Sequence, residues 1–150
     1  MKSKVPNWSL YVRFDVETRG SILSINPKVP HVIISISDHR GDRQDPPANE
    51  FTRDILHVDF HDINMATDGL DLFTDAQAIE ILNFYTRYRN ETELVVAHCT
   101  AGMSRSPAVI AALQKIHTGD DSEWFKKKTP NSYVYNHILS AAYERGLFAG

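Results

Sequence analysis

Leu94-Val95-Val96-Ala97-His98-Cys99-Thr100-Ala101-Gly102-Met103-Ser104-Arg105-Ser106-Pro107-Ala108-Val109-Ile110 is the stretch that decides the fold. Leu94–Ala97 is a short continuous apolar run and reads as a buried strand. The run from Ala108 to Ile116 is apolar almost all round and reads as a central helix, with Pro107 tolerated in its first turn. Between them the pattern H-C-x-x-G-x-x-R-S puts a nucleophile and an anion clamp in one tight loop. The intervening residues are small or flexible apart from Met103. Such a loop can curl with its backbone N–H groups inward, which makes a nest for a tetrahedral oxyanion. The N-terminus of the following helix aims its positive dipole end at the same spot. A thiol placed there is expected to have a lowered pKa. Arg105 adds a planar, permanently charged fork that matches two phosphate oxygens. A lone cysteine is more often a plain core thiol. The surrounding pattern is what argues for chemistry at Cys99.

Working outward, Val32–Ser37 is a β-branched run and reads as a buried strand. Residues 38–50 carry charges, Gly41 and Pro46-Pro47, so they are expected to form an exposed loop. Ile55–Phe60 reads as another strand, and residues 61–73 as irregular and acid-rich. A helix is predicted from Thr74, with Gln77 completing a capping box and Ala78, Leu82 and Tyr85 forming its apolar stripe. A short helix is expected over 121–128. Another is expected from about Ser132 to Arg145, ending at Gly146. Leu10–Phe14 reads as a strand, and Ser21–Ile25 fits a strand or a helical turn equally. The predicted fold class is α/β, with a mainly parallel central sheet of four to five strands and helices on both faces. The Cys99 loop then lies at the carboxyl end of a strand, where such sheets bind ligands.

The 98–106 run resembles the active-site loop of the cysteine-dependent protein tyrosine phosphatases, in particular the small dual-specificity branch. The resemblance spans most of residues 30–145, and the loop falls late in the chain, as in that branch. It implies Cys99 as nucleophile, Arg105 as phosphate clamp, Ser106 as an aid to sulfur departure, and His98 as a tuner of the thiolate. Gly102 matches the required glycine, and Thr100, Ala101, Gly102, Met103, Ser104 and Arg105 line the phosphate. Thr129-Pro130-Asn131 resembles a Pro-Asn pair that packs beside the site in that branch.

A phosphate ester also needs an acid to protonate its leaving oxygen. Asp62, just past a strand, matches the family position. Asp59, Asp68 and Asp71 are its competitors. His57, Asp59 and His61 alternate, so a metal site on one strand face is a rival reading. No further ligand cluster supports it, and no metal or cofactor is expected. Lys126–Lys128, the only basic run, reads as a solvated face that steers anionic substrates if it lies near the pocket mouth.

The implied activity is hydrolysis of phosphomonoesters through a phosphocysteine. The expected substrates are phosphotyrosine and, more weakly, phosphoserine and phosphothreonine proteins. Alternatives are an RNA 5′-triphosphatase or a phosphoinositide phosphatase of the same superfamily, a non-catalytic phosphate-binding module, or a rhodanese-type sulfurtransferase. The lipid enzymes tend to carry lysines in this loop, and rhodanese loops normally lack the Gly–Arg–Ser ending.

Composition sets outer bounds. The chain has 150 residues, 42% hydrophobic and 23% charged, enough for one domain with its own core, which the resemblance implies is a phosphatase domain. A net charge of −3 gives no basic footprint for nucleic acid. Cys99 is the only cysteine, so no internal disulfide can form, which fits a reducing, cytoplasmic setting. Met1–Asn7 is polar and leads into no long apolar segment, so neither signal peptide nor membrane span is expected. A monomer is expected.

Overall fold

The computed structural model describes residues 12–148. Among the described residues four strands form one sheet: β1 (Arg13–Glu17), β2 (His31–Ser37), β3 (Thr52–Asp59) and β4 (Leu94–His98), in the order β1-β4-β2-β3. Every pairing is parallel. Four helices accompany them: α1 (Asp75–Tyr88), α2 (Arg105–Thr118), α3 (Ser122–Lys127) and α4 (Ser132–Glu144). The expected α/β class with a parallel sheet flanked by helices is what forms.

The strand residues explain the sheet. All seven residues of β2 and all five of β4 are buried, the mark of central parallel strands covered on both faces. Val32, Ile34 and Ile36 face one way and join Ala97 and Val95 in the main core, with residues of all four helices. Ile33, Leu94 and Val96 face the other way and pack on Ile22. The expectation of helices on both faces is therefore corrected. Among the described residues the α-helices share one face, and the other is covered by a short 3-10 helix, Ser21–Ser24. The cause lies in the connections. The β1–β2 and β2–β3 segments carry Pro27, Pro30, Pro46 and Pro47, which cannot supply the N–H groups an α-helix interior requires. They form only 3-10 turns.

Helix boundaries follow local chemistry. The Thr74/Gln77 capping box forms as predicted, with both reciprocal bonds present. The central helix is longer than its apolar run suggests, starting at Arg105 and ending at Gly119 in the left-handed region (φ 86°). Val109, Ile110 and Leu113 in α2 are fully buried, each worth about 1.5–3 kcal/mol of transfer free energy. The Ser21–Ile25 ambiguity resolves as the 3-10 turn. The first strand is Arg13–Glu17 rather than Leu10–Phe14; residues 10 and 11, like the polar start of the chain, lie outside the described residues.

Because every strand runs the same way, all four carboxyl ends meet at one rim. Thr18 and Arg19 follow β1, Asp38 follows β2, Phe60–Asp62 follow β3, and Cys99 follows β4 at the centre. No helix among the described residues is long and apolar enough to cross a membrane.

Candidate active site

The loop from Cys99 to Ser104 joins β4 to α2, and its conformation is fixed from outside. Arg19 N–H donates to Thr100 O, Thr129 N–H to Met103 O, and Asn131 N–H to Ser104 O, each at 3.0 Å. In a planar trans peptide the carbonyl and the next N–H point in opposite directions. Carbonyls drawn outward therefore turn the N–H groups of Ala101, Ser104 and Arg105 inward. Gly102 makes the curl possible. Its φ of +68° lies in the left-handed region, and a Cβ there would sit 3.1 Å from Glu17 O and 3.3 Å from Thr18 Cγ2.

Cys99 sits at the base of this loop, with 3% of its surface exposed. Its Sγ lies 3.1 Å from Ser106 Oγ and accepts from Ser106 N–H at 3.4 Å. When the sulfur is a thiolate, the Ser106 hydroxyl must be the donor, so two donors of one residue then serve the sulfur. Arg105 is 5% exposed. Its Nη1 donates to Asp38 Oδ1 and to Phe60 O, both at 2.7 Å, and its Nη2 donates to Thr100 Oγ1 at 3.0 Å.

Asp62 is brought to the same place. Its Oδ1 accepts from Ser104 Oγ at 2.8 Å and from Asn131 Nδ2 at 2.9 Å. The competitors are disposed otherwise. Asp59 is held by a two-pronged contact from Arg43, with Nη2 to Oδ2 at 2.7 Å. Asp68 and Asp71 are exposed on the far part of the loop. Asp71 meets His61 only through its backbone, giving N–H to His61 Nδ1 and accepting from His61 N–H, both at 2.8 Å. These contacts also disperse the His57-Asp59-His61 trio. The strand ends at Asp59, Asp59 is committed to Arg43, and His61 closes the neck of the acid-rich loop. Among the described residues no group of three His, Cys, Asp or Glu side chains is placed to hold a metal.

His98 is buried beneath the loop, with its Nε2 2.6 Å from Ser35 Oγ on the neighbouring strand. Burial pushes its imidazole from the ordinary 6.5 down to about 4. Between those values the unfolded chain binds a proton that the folded chain refuses, so stability falls as pH drops from 6.5 toward 4. The expected loss from His98 alone between pH 7 and 4.5 is about 2 kcal/mol. Urea unfolding of wild type and His98→Gln at both pH values checks this: the wild-type drop should exceed the variant's by that amount, and parallel drops would refute it.

Of the basic run, Lys127 pairs with Glu123 at 3.0 Å and lies over the Trp124 ring, whereas Lys128 reaches the loop itself, its Nζ 3.8 Å from Met103 Sδ. Asn131 lies beside the loop and joins several of its parts. It bonds Asp62, Ile63 O and Ser104 O and caps α4 through Val134 N–H. A cleft of about 470 Å³ opens beside Asp62 and Ser104, lined also by Ile63, Met65, Thr67 and Pro130. Asp62 is the only charged residue lining it. Neither Ser35 nor Asp38 was legible as a site residue from residue order. Residues 38–50 form the largely exposed connection expected, within which Asp38, itself partly exposed, turns one carboxylate oxygen in to Arg105.

No family model matches the sequence, and no curated protein matches it. Solved structures do. A human tyrosine phosphatase-like serine/threonine/tyrosine-interacting protein aligns at TM-score 0.53 and 20% identity over 79% of this chain and 78% of its own. A mouse putative dual specificity phosphatase, solved with zinc tungstate, aligns at TM-score 0.58 and 14% identity over 89% and 86%. Human DUSP28 aligns at TM-score 0.54 and 14% identity over 95% and 96%. The fold is that of the dual-specificity phosphatases.

Proposed function

We propose that this protein is a cysteine-dependent phosphatase that hydrolyses phosphomonoesters of proteins. The observation that carries the reading is the convergence on one inward-turned loop of a buried sulfur, a fully pinned guanidinium and a carboxylate from a different strand end. In the first step the Cys99 thiolate attacks phosphorus in line, the P–O bond to the leaving group breaks, and Asp62 protonates the departing oxygen. Asp62 Oδ1 already accepts two hydrogen bonds, so the transferred proton is the one on Oδ2. The three equatorial oxygens lie among the loop N–H groups and the Arg105 fork, which match the charge of the flattened transition state. In the second step Asp62, now a carboxylate, takes a proton from water as that water attacks the phosphocysteine. Ser106 then stabilises the departing thiolate. The charge-stabilising role that a metal takes elsewhere falls here to Arg105 and the backbone amides. The enzyme works as a monomer in a reducing compartment such as the cytoplasm.

The loop and the cleft beside it favour a single phosphate on an otherwise uncharged or cationic body. Thr100, Ala101 and Met103 carry no charge, and the cleft offers only the Asp62 carboxylate. Lys128 stands outside the loop, against Met103. Phosphotyrosine peptides should react fastest, since phenol is the better leaving group, and phosphothreonine more slowly. A panel of phosphopeptides, phosphoinositides and 5′-triphosphorylated RNA tests the reading. A phosphoinositide or RNA that outruns every peptide tenfold in kcat/KM would overturn the substrate. Absence of turnover on all of them, with phosphate still bound, would favour a non-catalytic binding module.

A further inference from the structure

Asp38 and Phe60 are the residues that follow the last pair of the β2–β3 ladder, Ser37 opposite Asp59, and Phe60 N–H donates to Ser37 O at 3.0 Å, which holds the two strand ends side by side. Two acceptors from adjacent strand ends therefore grip one nitrogen: Asp38 Oδ1 and Phe60 O each lie 2.7 Å from Arg105 Nη1. That nitrogen has two protons, and both are used. Thr100 Oγ1 takes one proton of Nη2. Among the described residues these contacts leave Nε–H and one Nη2 proton, the donors that Arg105 can still offer an oxyanion.

The segment carrying Asp38 is itself clasped. Asp42 pairs with Arg19 at 3.0 Å, and Arg43 pairs with Asp59 at 2.7 Å. Arg19 in turn holds the Cys99 loop through its N–H to Thr100 O. The residues after β2 thus form a wall of the site fixed at three points, two of which lead to the loop. We propose that Asp38 is a positioning residue for Arg105: it holds the guanidinium by Nη1 so that its remaining Nε and Nη2 donors face the phosphate. The inference rests on the phosphatase reading for its kinetic consequence, but not for its binding consequence.

Asp38 has an opposing effect that a test must separate. Its negative charge stands near the anion site and, if it merely competed with phosphate for Arg105, its removal would tighten anion binding. The carboxylate is 42% exposed, so its repulsion is screened by water, whereas the orientation of a buried guanidinium is not. Asp38→Ala is expected to raise the dissociation constant for tungstate or phosphate, measured by calorimetry, about tenfold. It should also lower kcat/KM for an aryl phosphate by roughly 10–10²-fold, mostly through kcat, because the fork binds the transition state more tightly than the ground state. Asp38→Asn keeps an acceptor oxygen and should recover to within about threefold of wild type. In an Arg105→Lys background, Asp38→Ala should change anion affinity by less than twofold, since the group it positions is gone. Unchanged or tighter anion binding by Asp38→Ala, or an equal loss in the Arg105→Lys background, would overturn the proposal. Loss of anion affinity in a protein that turns over no substrate would uphold the positioning role and reject the phosphatase reading instead.

Discussion

Cys99→Ser is expected to abolish multiple turnover, by roughly 10⁵-fold or more, as removal of a nucleophile does in covalent catalysis. It should leave oxyanion affinity within a few-fold of wild type. The two effects separate because different parts supply them. In the proposed reading the anion is held by loop N–H groups, whose carbonyls Arg19, Thr129 and Asn131 draw outward, and by the pinned Arg105, none of which the substitution touches. The chemistry needs a thiolate, and a serine hydroxyl at the same place stays protonated near neutral pH. The two contacts of Ser106 that reach Sγ can pass to the new oxygen. Steady-state kinetics on an aryl phosphate, paired with calorimetric titration of phosphate, reads both arms. Sustained turnover by the purified variant would remove Cys99 as nucleophile, and loss of binding together with turnover would mean the sulfur helps to shape the nest.

Asp62→Asn should cut kcat by roughly 10²–10⁴ on substrates with poor leaving groups, the range for loss of a general acid. The amide is the informative replacement. Its Oδ1 can still accept from Ser104 Oγ and Asn131 Nδ2, so the loop stays docked and only the proton is withdrawn. The loss should shrink on para-nitrophenyl phosphate, whose leaving group needs little help. If Asp68→Asn or Asp71→Asn shows this pattern while Asp62→Asn is indifferent, the acid has been misassigned. Asp59→Asn is a poor imitation of it, because Asp59 is engaged by Arg43 and its loss should act on the wall of the site.

Local chemistry made much of this protein legible from residue order. The β-branched run at 32–37, the apolar run at 94–97 and the all-round apolar helix after Pro107 each carry their signal within a few residues, and each forms where expected. The Thr74/Gln77 box is a contact between residues three apart, so spacing alone specifies it. Cys99, Gly102, Arg105 and Ser106 are close in sequence, and the loop that unites them is closed by its own geometry. Asp62 was legible only through a resemblance in spacing; its docking on Ser104 joins residues 42 apart. What sequence could not reveal is what depends on the order in which strands pair. Nothing local places β4 between β1 and β2, yet that order decides which strand ends surround the loop. Asp38 looks like one more solvated loop acid until β2 and β3 pair in register; then it and Phe60 O meet on the same nitrogen of a residue 67 positions away. The same holds for Ser35 beneath His98 and for Asn131 between the acid and the Cys99 loop. Residue types and short spacings determined which sulfur and which guanidinium share one loop, and the strand–loop–helix that carries them. The long-range pairing of parallel strands decided what orients them, because hydrogen-bond geometry between distant segments exists only once the sheet has closed their separation.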